Sequence, residues 1–395
     1  MPNILGINIS PLSRTETLSQ LERWLEQDRP RLLVTPNPEI ILAAHHDEEL
    51  FFILNKADLA PADGFGLKLA GWLYGENIPR LTGADLVGEM LKMAQLKKLK
   101  VVILNWCLGL SKKEDIKSAL NKIYPNLDYL IIDSERFEIK PTDLLEINNF
   151  SPAIIFCNFG APYQEKVLYH NIEKFSALRL AIGCGGAFDF LTGQITRAPQ
   201  WLRQLGLEWL WRLIKQPQRW RRIVNAVFIF TAKVLEVKLI SRFLYRPNVA
   251  CLMYKQTEQG RDILIVERTD EPGHWQLPQG GTDGEDVTTA GSRELREETG
   301  TSNFIVKATY KNLHRYKFSN SHPIANDTKR HKYDYRGQKQ SLLIAEFTGR
   351  DEEIKINFWD HRDWKWIPAQ KLVETVHPAR RQSVIIYLAK LESLN

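Results

Sequence analysis

The sequence predicts an α/β fold laid out as two successive domains, and three observations carry that expectation. The first is a chain of 395 residues, 44% hydrophobic and 25% charged, ordinary globular material with length enough for two cores. The second is the alternation of short β-branched or aromatic runs with helix-like text over the first two hundred residues. The third is a change near Tyr245, where strands and long polar loops take over and a single strong helix interrupts them. Pro247 marks a plausible boundary, so the expected division is residues 1–235, a linker at 236–245, and residues 246–395.

In the first domain the strand-like runs are "RLLVTPN", "KVVILNW", "YLIIDS", "AIIFCNFG" and "LRLAIGCGG". Between them lie "GADLVGEMLKMAQLKK" and "SKKEDIKSALNKIY", which repeat apolar residues at helical spacing. That order predicts a largely parallel sheet covered by helices. Ligands of such sheets bind beyond the carboxyl ends of the strands. Thr35 and Asn37, Asn158 and Gly160, and "GCGGAFD" fall at those ends, where Gly and Asn also simply make turns.

The formal charge of +6 favours anionic partners such as nucleotides, nucleic acid or an acidic membrane surface. Cys107, Cys157, Cys184 and Cys251 include no Cys-x-x-Cys pair, which points to reduced thiols and to neither a zinc site nor a disulfide framework. "MPNILGINIS" lacks the charged and apolar regions of a secretory signal, and no apolar run reaches the ~18 residues of a membrane span. The expectation is a cytoplasmic protein that is able to lie on a membrane.

The motifs "TPNPEI", "ADGFGLKLA", "IPRLTGADL", "NFGAPYQEK", "GCGGAFDFLTGQITRAPQW" and "GLEWLWRLIKQPQRWRR" occur in the order seen in the bacterial WecG/TagA/CpsF glycosyltransferases. The resemblance covers roughly residues 1–230. It implies a Rossmann-like α/β domain that transfers N-acetylmannosamine or a related sugar from a UDP-sugar to a lipid-diphosphate-linked sugar at the cytoplasmic membrane face, for cell-surface polysaccharide. Such a transfer needs a base for the acceptor hydroxyl, and Asp63, set on a turn by Gly64, is the obvious carboxylate. The resemblance makes it the catalytic Asp and puts Gln164 near the sugar. Arg80, Thr35, Asn37 and the amides of "GCGG" could stabilise the leaving UDP. Asp189 either holds a ribose or sugar hydroxyl or caps a turn. The chain departs from the family at "LNWCLG" and at Tyr163, where lysine is common.

Residues 200–235 interleave Trp201, Trp209, Trp211 and Trp220 with Arg203, Arg212, Lys215, Arg219, Arg221 and Arg222. Pro217 interrupts any single helix there. Beyond it Ile223, Val224, Val227, Phe228, Thr231, Val234 and Leu235 recur at helical spacing. Two readings stand: a peripheral anchor in the headgroup region, or a helix packed on its own domain.

The strong helix of the second domain contains "RELREETG", in which Glu294, Glu297 and Glu298 share a face. Either Arg293 and Arg296 offset their charge, or a hard divalent cation does. With "WQLPQGG" upstream and Glu285 separated from Arg293 by seven residues, the segment resembles the Nudix box, one residue short between Gly280 and Glu285. "YRPNVA", "YRGQKQ" and "DWKWIP" extend the resemblance over residues 245–395, toward the RNA pyrophosphohydrolase and diadenosine-polyphosphate hydrolase branch. It implies a Nudix α/β/α sandwich in which Glu294, Glu297 and Glu298 hold Mg²⁺ or Mn²⁺ while water attacks a nucleoside polyphosphate or an RNA 5′ end. Glu297 and Glu298 are then also catalytic, Arg293 orients the glutamates through Glu285, and Glu353 is either a further metal ligand or base, or a surface glutamate. Lys311, Arg315, Lys317, Lys329, Arg330, Lys332, Arg336 and Lys339 form a basic stretch suited to phosphates, with Arg336 taken as substrate-binding.

The whole predicts a bifunctional fusion. Its partners would be a UDP-sugar donor, a lipid-linked sugar acceptor, a nucleoside polyphosphate or RNA 5′ end, and the inner membrane face; an oligomer is compatible with all of it. Two alternatives stand beside it: a C-terminal domain that senses nucleotides without turnover, or an N-terminal part that serves only as membrane or scaffold element.

Overall fold

The computed structural model describes residues 1–215, 217–317 and 335–394. The chain divides into two compact units, Met1–Glu236 and Val237–Asn395.

In the first unit a small antiparallel pair, β1 (Asn3–Ile4) and β2 (Ile7–Asn8), precedes the main sheet. That sheet is built from β3 (Arg31–Leu33), β4 (Val101–Trp106), β5 (Tyr129–Ser134), β6 (Ile154–Cys157) and β7 (Leu180–Gly183). Its order is β3-β7-β6-β4-β5, and every pairing is parallel. The expectation of a largely parallel sheet holds throughout, and where both faces are covered the strands are apolar: Val101 to Leu104 and Ile154 to Cys157 are all buried. The helix Gly83–Lys97 lays Leu86, Val87, Met90, Leu91 and Ala94 on one face, against Val101, Ile103, Ile154 and Phe156. Thr82 caps it by accepting from the Asp85 amide.

The second unit is a sandwich. Its seven-stranded mixed sheet comprises β8 (Tyr245–Thr257), β9 (Gly260–Arg268), β10 (Trp275–Gln276), β11 (Gln279–Gly281), β12 (Phe304–Lys317), β13 (Gly337–Phe347) and β14 (His361–Pro368). The central β8 and β13 run parallel, while β12 returns antiparallel on β13 and β9 antiparallel on β8. Alternation builds two cores from one strand. Val249, Cys251 and Met253 face the helix Val287–Thr299, while Ala250, Leu252 and Tyr254 face Leu372, Val384, Tyr387 and Leu391 of the C-terminal helices.

The segment after Leu191 keeps the interruption expected at Pro217: a helix Glu208–Lys215, a 3-10 turn at Pro217–Arg219, and a π-helical turn at Asn225–Ile229 before the helix Phe230–Leu239. The predicted apolar stripe is split by that π turn. Phe230 and Val234 are buried, whereas Phe228, Ile229 and Leu235 stay exposed with Trp201, Leu205, Ile214 and Trp220. One stretch thus combines a packed face with an uncovered apolar one. The side chains of Arg212, Arg219, Arg222 and Ile223 lie outside the described residues, as do Lys329, Arg330 and Lys332. No helix among the described residues is long and apolar enough to cross a membrane.

Candidate functional site

At the carboxyl ends of the parallel strands the first unit gathers Thr35, Asp63, Gly83 and the glycines after β7. Thr35 is buried and donates to the Gly183 carbonyl at 3.2 Å. Asp63 sits half-buried before Gly64, whose φ of 108° only glycine adopts readily. That turn aims the Asp63 carboxylate at the start of the helix Gly83–Lys97: a Cβ on Gly83 would lie 3.2 Å from Thr35 Oγ1 and 3.5 Å from Asp63 Oδ2. A helix start offers unpaired amides with partial positive charge, a setting that suits both a carboxylate and a phosphate. Asn37 does not reach in as a free amide, because its Oδ1 accepts from Ile40 N at 2.9 Å and caps the helix Pro38–Ala44.

Gln164 is brought to this end of the sheet, but as a brace. It is 2% exposed; its Oε1 accepts from the amides of Gly160 at 3.1 Å and Gly185 at 2.8 Å, and its Nε2 donates to Glu165 Oε1 at 2.8 Å. The amide therefore ties together the glycine turns after β6 and β7. Glu165, which sequence reasoning passed over, is fully buried with Oε2 lacking a hydrogen-bond partner, and burial pushes its carboxyl up to about 7. The signal available was its place beside Gln164 in "PYQEK". Asp189 accepts from Ser111 Oγ at 2.7 Å and so ties the helix Ala187–Leu191 to the loop before the helix Lys113–Ile123 rather than standing open.

Arg80 likewise differs from the open anion ligand expected. Its guanidinium donates to Glu208 Oε2 at 2.7 Å and to the Arg203 carbonyl at 2.6 Å, fastening the segment at 203–208 beside the strand ends. Arg197 does the same through Asp85 at 2.7 Å and Thr82 at 3.0 Å. Burial would lift the Asp85 carboxyl, but Arg197, Thr82 and Arg203 outweigh it and hold it below the usual carboxylate range. Close by, Arg136 lies 3.2 Å over the Trp106 ring and 5.4 Å from that of Tyr163, an aromatic and cationic platform that the sequence did not disclose.

In the second unit Arg293 is the hub of the Gly–Glu segment. It donates to Glu285 Oε2 at 3.0 Å, Glu294 Oε1 at 2.8 Å, Glu297 Oε2 at 3.0 Å and the Gly281 carbonyl at 2.9 Å. Arg293 thus contacts Glu285 and, directly, two of the three helix carboxylates. Glu298 is buried, accepts from Gln279 N at 3.1 Å and lies 2.9 Å from His361 Nε2. Gly280 presses its backbone on Glu294: a Cβ there would sit 1.9 Å from Oε2. Beside them runs a polar row, buried Asn248, Gln340 and Tyr387 with half-buried Gln279, linked at 3.1 to 3.2 Å. Arg246 adds a guanidinium nitrogen 2.9 Å from the position of a Cβ on Gly281.

These groups fit a hard divalent ion in kind: two buried carboxylates, a third at the surface, and a glycine cradle that admits no side chain. In the present geometry Glu294, Glu297 and Glu298 do not gather their oxygens within 4.8 Å of one another. Glu353 bonds to Asn303 Nδ2 at 2.5 Å and pairs with Arg350 at 3.5 Å, contacts that hold its carboxyl below the usual range, the Asn303 hydrogen bond foremost. Arg336 is exposed, 6.0 Å from the Tyr245 ring that Arg315 approaches to 4.9 Å.

A parallel-sheet unit with a carboxylate at its strand ends, followed by a sandwich with a Gly–Glu helix, defines a two-domain α/β enzyme. The chain belongs to the glycosyl transferase WecG/TagA/CpsF family, whose model matches residues 2–243, and a NUDIX domain model matches residues 244–387. It is a glycosyltransferase fused to a Nudix hydrolase domain. Among its relatives is the N-acetylglucosaminyldiphosphoundecaprenol N-acetyl-beta-D-mannosaminyltransferase of Bacillus subtilis (strain 168), 31% identical over 216 residues, 53% of this chain and 82% of that one. The enzyme of the same description from Staphylococcus aureus (strain MRSA252) is 27% identical over 247 residues, 60% of this chain and 92% of that one. Among solved structures, a C. elegans Ap4A hydrolase covers 38% of this chain and 98% of its own at 16% identity and a TM-score of 0.29.

Proposed function

We propose that the first unit transfers N-acetylmannosamine or a related sugar from a UDP-sugar to a lipid-diphosphate-linked acceptor, with Asp63 as the base for the acceptor hydroxyl. The observation that carries this is the meeting of Asp63, Thr35 and the Gly83 helix start at the strand ends. The carboxylate takes a proton at Oδ2, while the Gly83 helix start offers donors to a departing diphosphate. The names of the relatives support the sugar and the lipid carrier. The uncovered Trp201, Ile214, Trp220 and Phe228 among basic residues suit docking on an anionic lipid surface. In this reading Thr35 lies at the diphosphate, and Arg80 reaches it only when its hold on Glu208 opens.

In the second unit Glu294, Glu297 and Glu298 would hold Mg²⁺ or Mn²⁺, which when bound stabilises the charge developing on a polyphosphate. Arg293 fixes the carboxylates, Gly280 leaves room for them, and Arg246 and Arg336 supply positive charge to a nucleoside polyphosphate or RNA 5′ end. The test is Mg²⁺-dependent phosphate or pyrophosphate release from 5′-triphosphate RNA, diadenosine polyphosphates and UDP-sugars, with Glu297→Gln alongside. Release lost in the variant supports hydrolysis. Nucleotide binding with no release from any of the three would leave a sensing module instead.

A further inference from the structure

We propose that Glu271, His274 and His377 form a second metal site in the C-terminal unit, one that takes a borderline ion such as Zn²⁺ or Co²⁺ rather than Mg²⁺. Among the described residues this is the group of three potential ligands whose donor atoms lie within 4.8 Å of one another. Its framework is set by backbone pairing. His274 follows the Glu271 turn between β9 and β10, its amide bonded to the Glu271 carbonyl at 3.0 Å and its carbonyl to Arg268 N at 3.1 Å. His377 N donates to the Trp275 carbonyl at 2.9 Å, which brings a residue about a hundred positions later onto the same turn.

Each side chain is disposed as a ligand. The His274 ring is 5% exposed, with Nδ1 2.8 Å from Glu271 Oε2, while its Nε2 is buried without a hydrogen-bond partner. An ion seated between His274 Nδ1 and Glu271 Oε2 takes the place of the proton those two atoms share. His377 lies against the first ring at 4.0 Å and 9°, with Nε2 3.8 Å from Glu271 Oε1. Two imidazoles and one carboxylate suit zinc and its neighbours, whereas Mg²⁺ prefers oxygen donors alone. Of the nearby cations, Arg268 is bound twice by Asp270, at 2.8 and 2.6 Å, and Arg380 donates to the Tyr316 hydroxyl at 2.7 Å.

Two stacked rings aim their lone pairs in parallel planes, so binding turns His377, the more exposed of the pair, out of the stack. The ion then ties the turn at 270–274 to the start of the last helix, and Trp275 and Gln276 lead from there to Gly280 against Glu294.

The test is Co²⁺ titration of the full-length protein in excess Mg²⁺, followed by visible absorption and by displacement with Zn²⁺, for the native chain, His377→Gln and Glu271→Gln. The expected result is one Co²⁺ bound and displaced by Zn²⁺, at least about tenfold weaker in His377→Gln, with a metal-free melting temperature within about 2 °C of native. If His377→Gln melts earlier than that, Glu271→Gln carries the same comparison. No Co²⁺ uptake by the native protein, or equal uptake by a well-folded variant, overturns the site.

Discussion

Replacing Gly280 with alanine places a Cβ 1.9 Å from Glu294 Oε2, 2.0 Å from Cδ and 2.2 Å from Oε1. Ordinary contact begins near 3.4 Å, so the carboxylate must retreat by about 1.5 Å, the difference between 3.4 and 1.9. It has little freedom to do so, since Glu294 is 2% exposed and its Oε1 is held by Arg293. Displacement of a reacting or positioning group by about 1 Å costs on the order of a hundredfold in rate. Gly280→Ala should therefore lower Mg²⁺-dependent hydrolysis about a hundredfold while the chain stays folded, and sugar transfer by the first unit should not change. Hydrolysis is read as phosphate or pyrophosphate release under saturating Mg²⁺, with circular dichroism confirming the fold. Wild-type hydrolysis in Gly280→Ala would refute the reasoning, because the cradle would then be irrelevant to the carboxylates.

Arg293→Met removes the cation from buried Glu294 and should destabilise the second unit by about 2–3 kcal/mol, read from urea midpoints. Glu165 makes stability depend on pH. Its folded pKa of about 7 lies above the ordinary 4.5, so the first unit is most stable below pH ~4.5 and loses stability as pH rises through 7. The loss is on the order of 3 kcal/mol, and Glu165→Gln should abolish it; a pH-independent unfolding midpoint in the native chain between pH 5 and 8 would contradict this. Glu208→Gln leaves Arg80 without its ion-pair partner and should cost about 1–3 kcal/mol, read as an earlier first melting transition.

What could be read in advance was what repeats with a period. The apolar runs became β4, β6 and β7 because strands covered on both faces carry no alternation, and the split of β8 into two cores follows its two-residue repeat. The Gly–Glu helix was legible because its spacing is local. Partnerships across long separations were not. Arg80 reads as an anion ligand until Glu208, 128 positions away, is folded against it. Gln164, put near the sugar by the family resemblance, and Asp189, left between holding a hydroxyl and capping a turn, sit where amides and a hydroxyl of the neighbouring segments take up their oxygens. Only the fold brings His377 to His274, or Arg136 over Trp106.

The central claim is that one chain carries two separate chemistries. Transfer from a UDP-sugar to a lipid-diphosphate acceptor and Mg²⁺-dependent polyphosphate hydrolysis should be measured on the same preparations of native protein, Asp63→Asn and Glu297→Gln. The account predicts that Asp63→Asn loses transfer and keeps hydrolysis, and that Glu297→Gln does the reverse. Undiminished transfer by Asp63→Asn, or undiminished hydrolysis by Glu297→Gln, would contradict it.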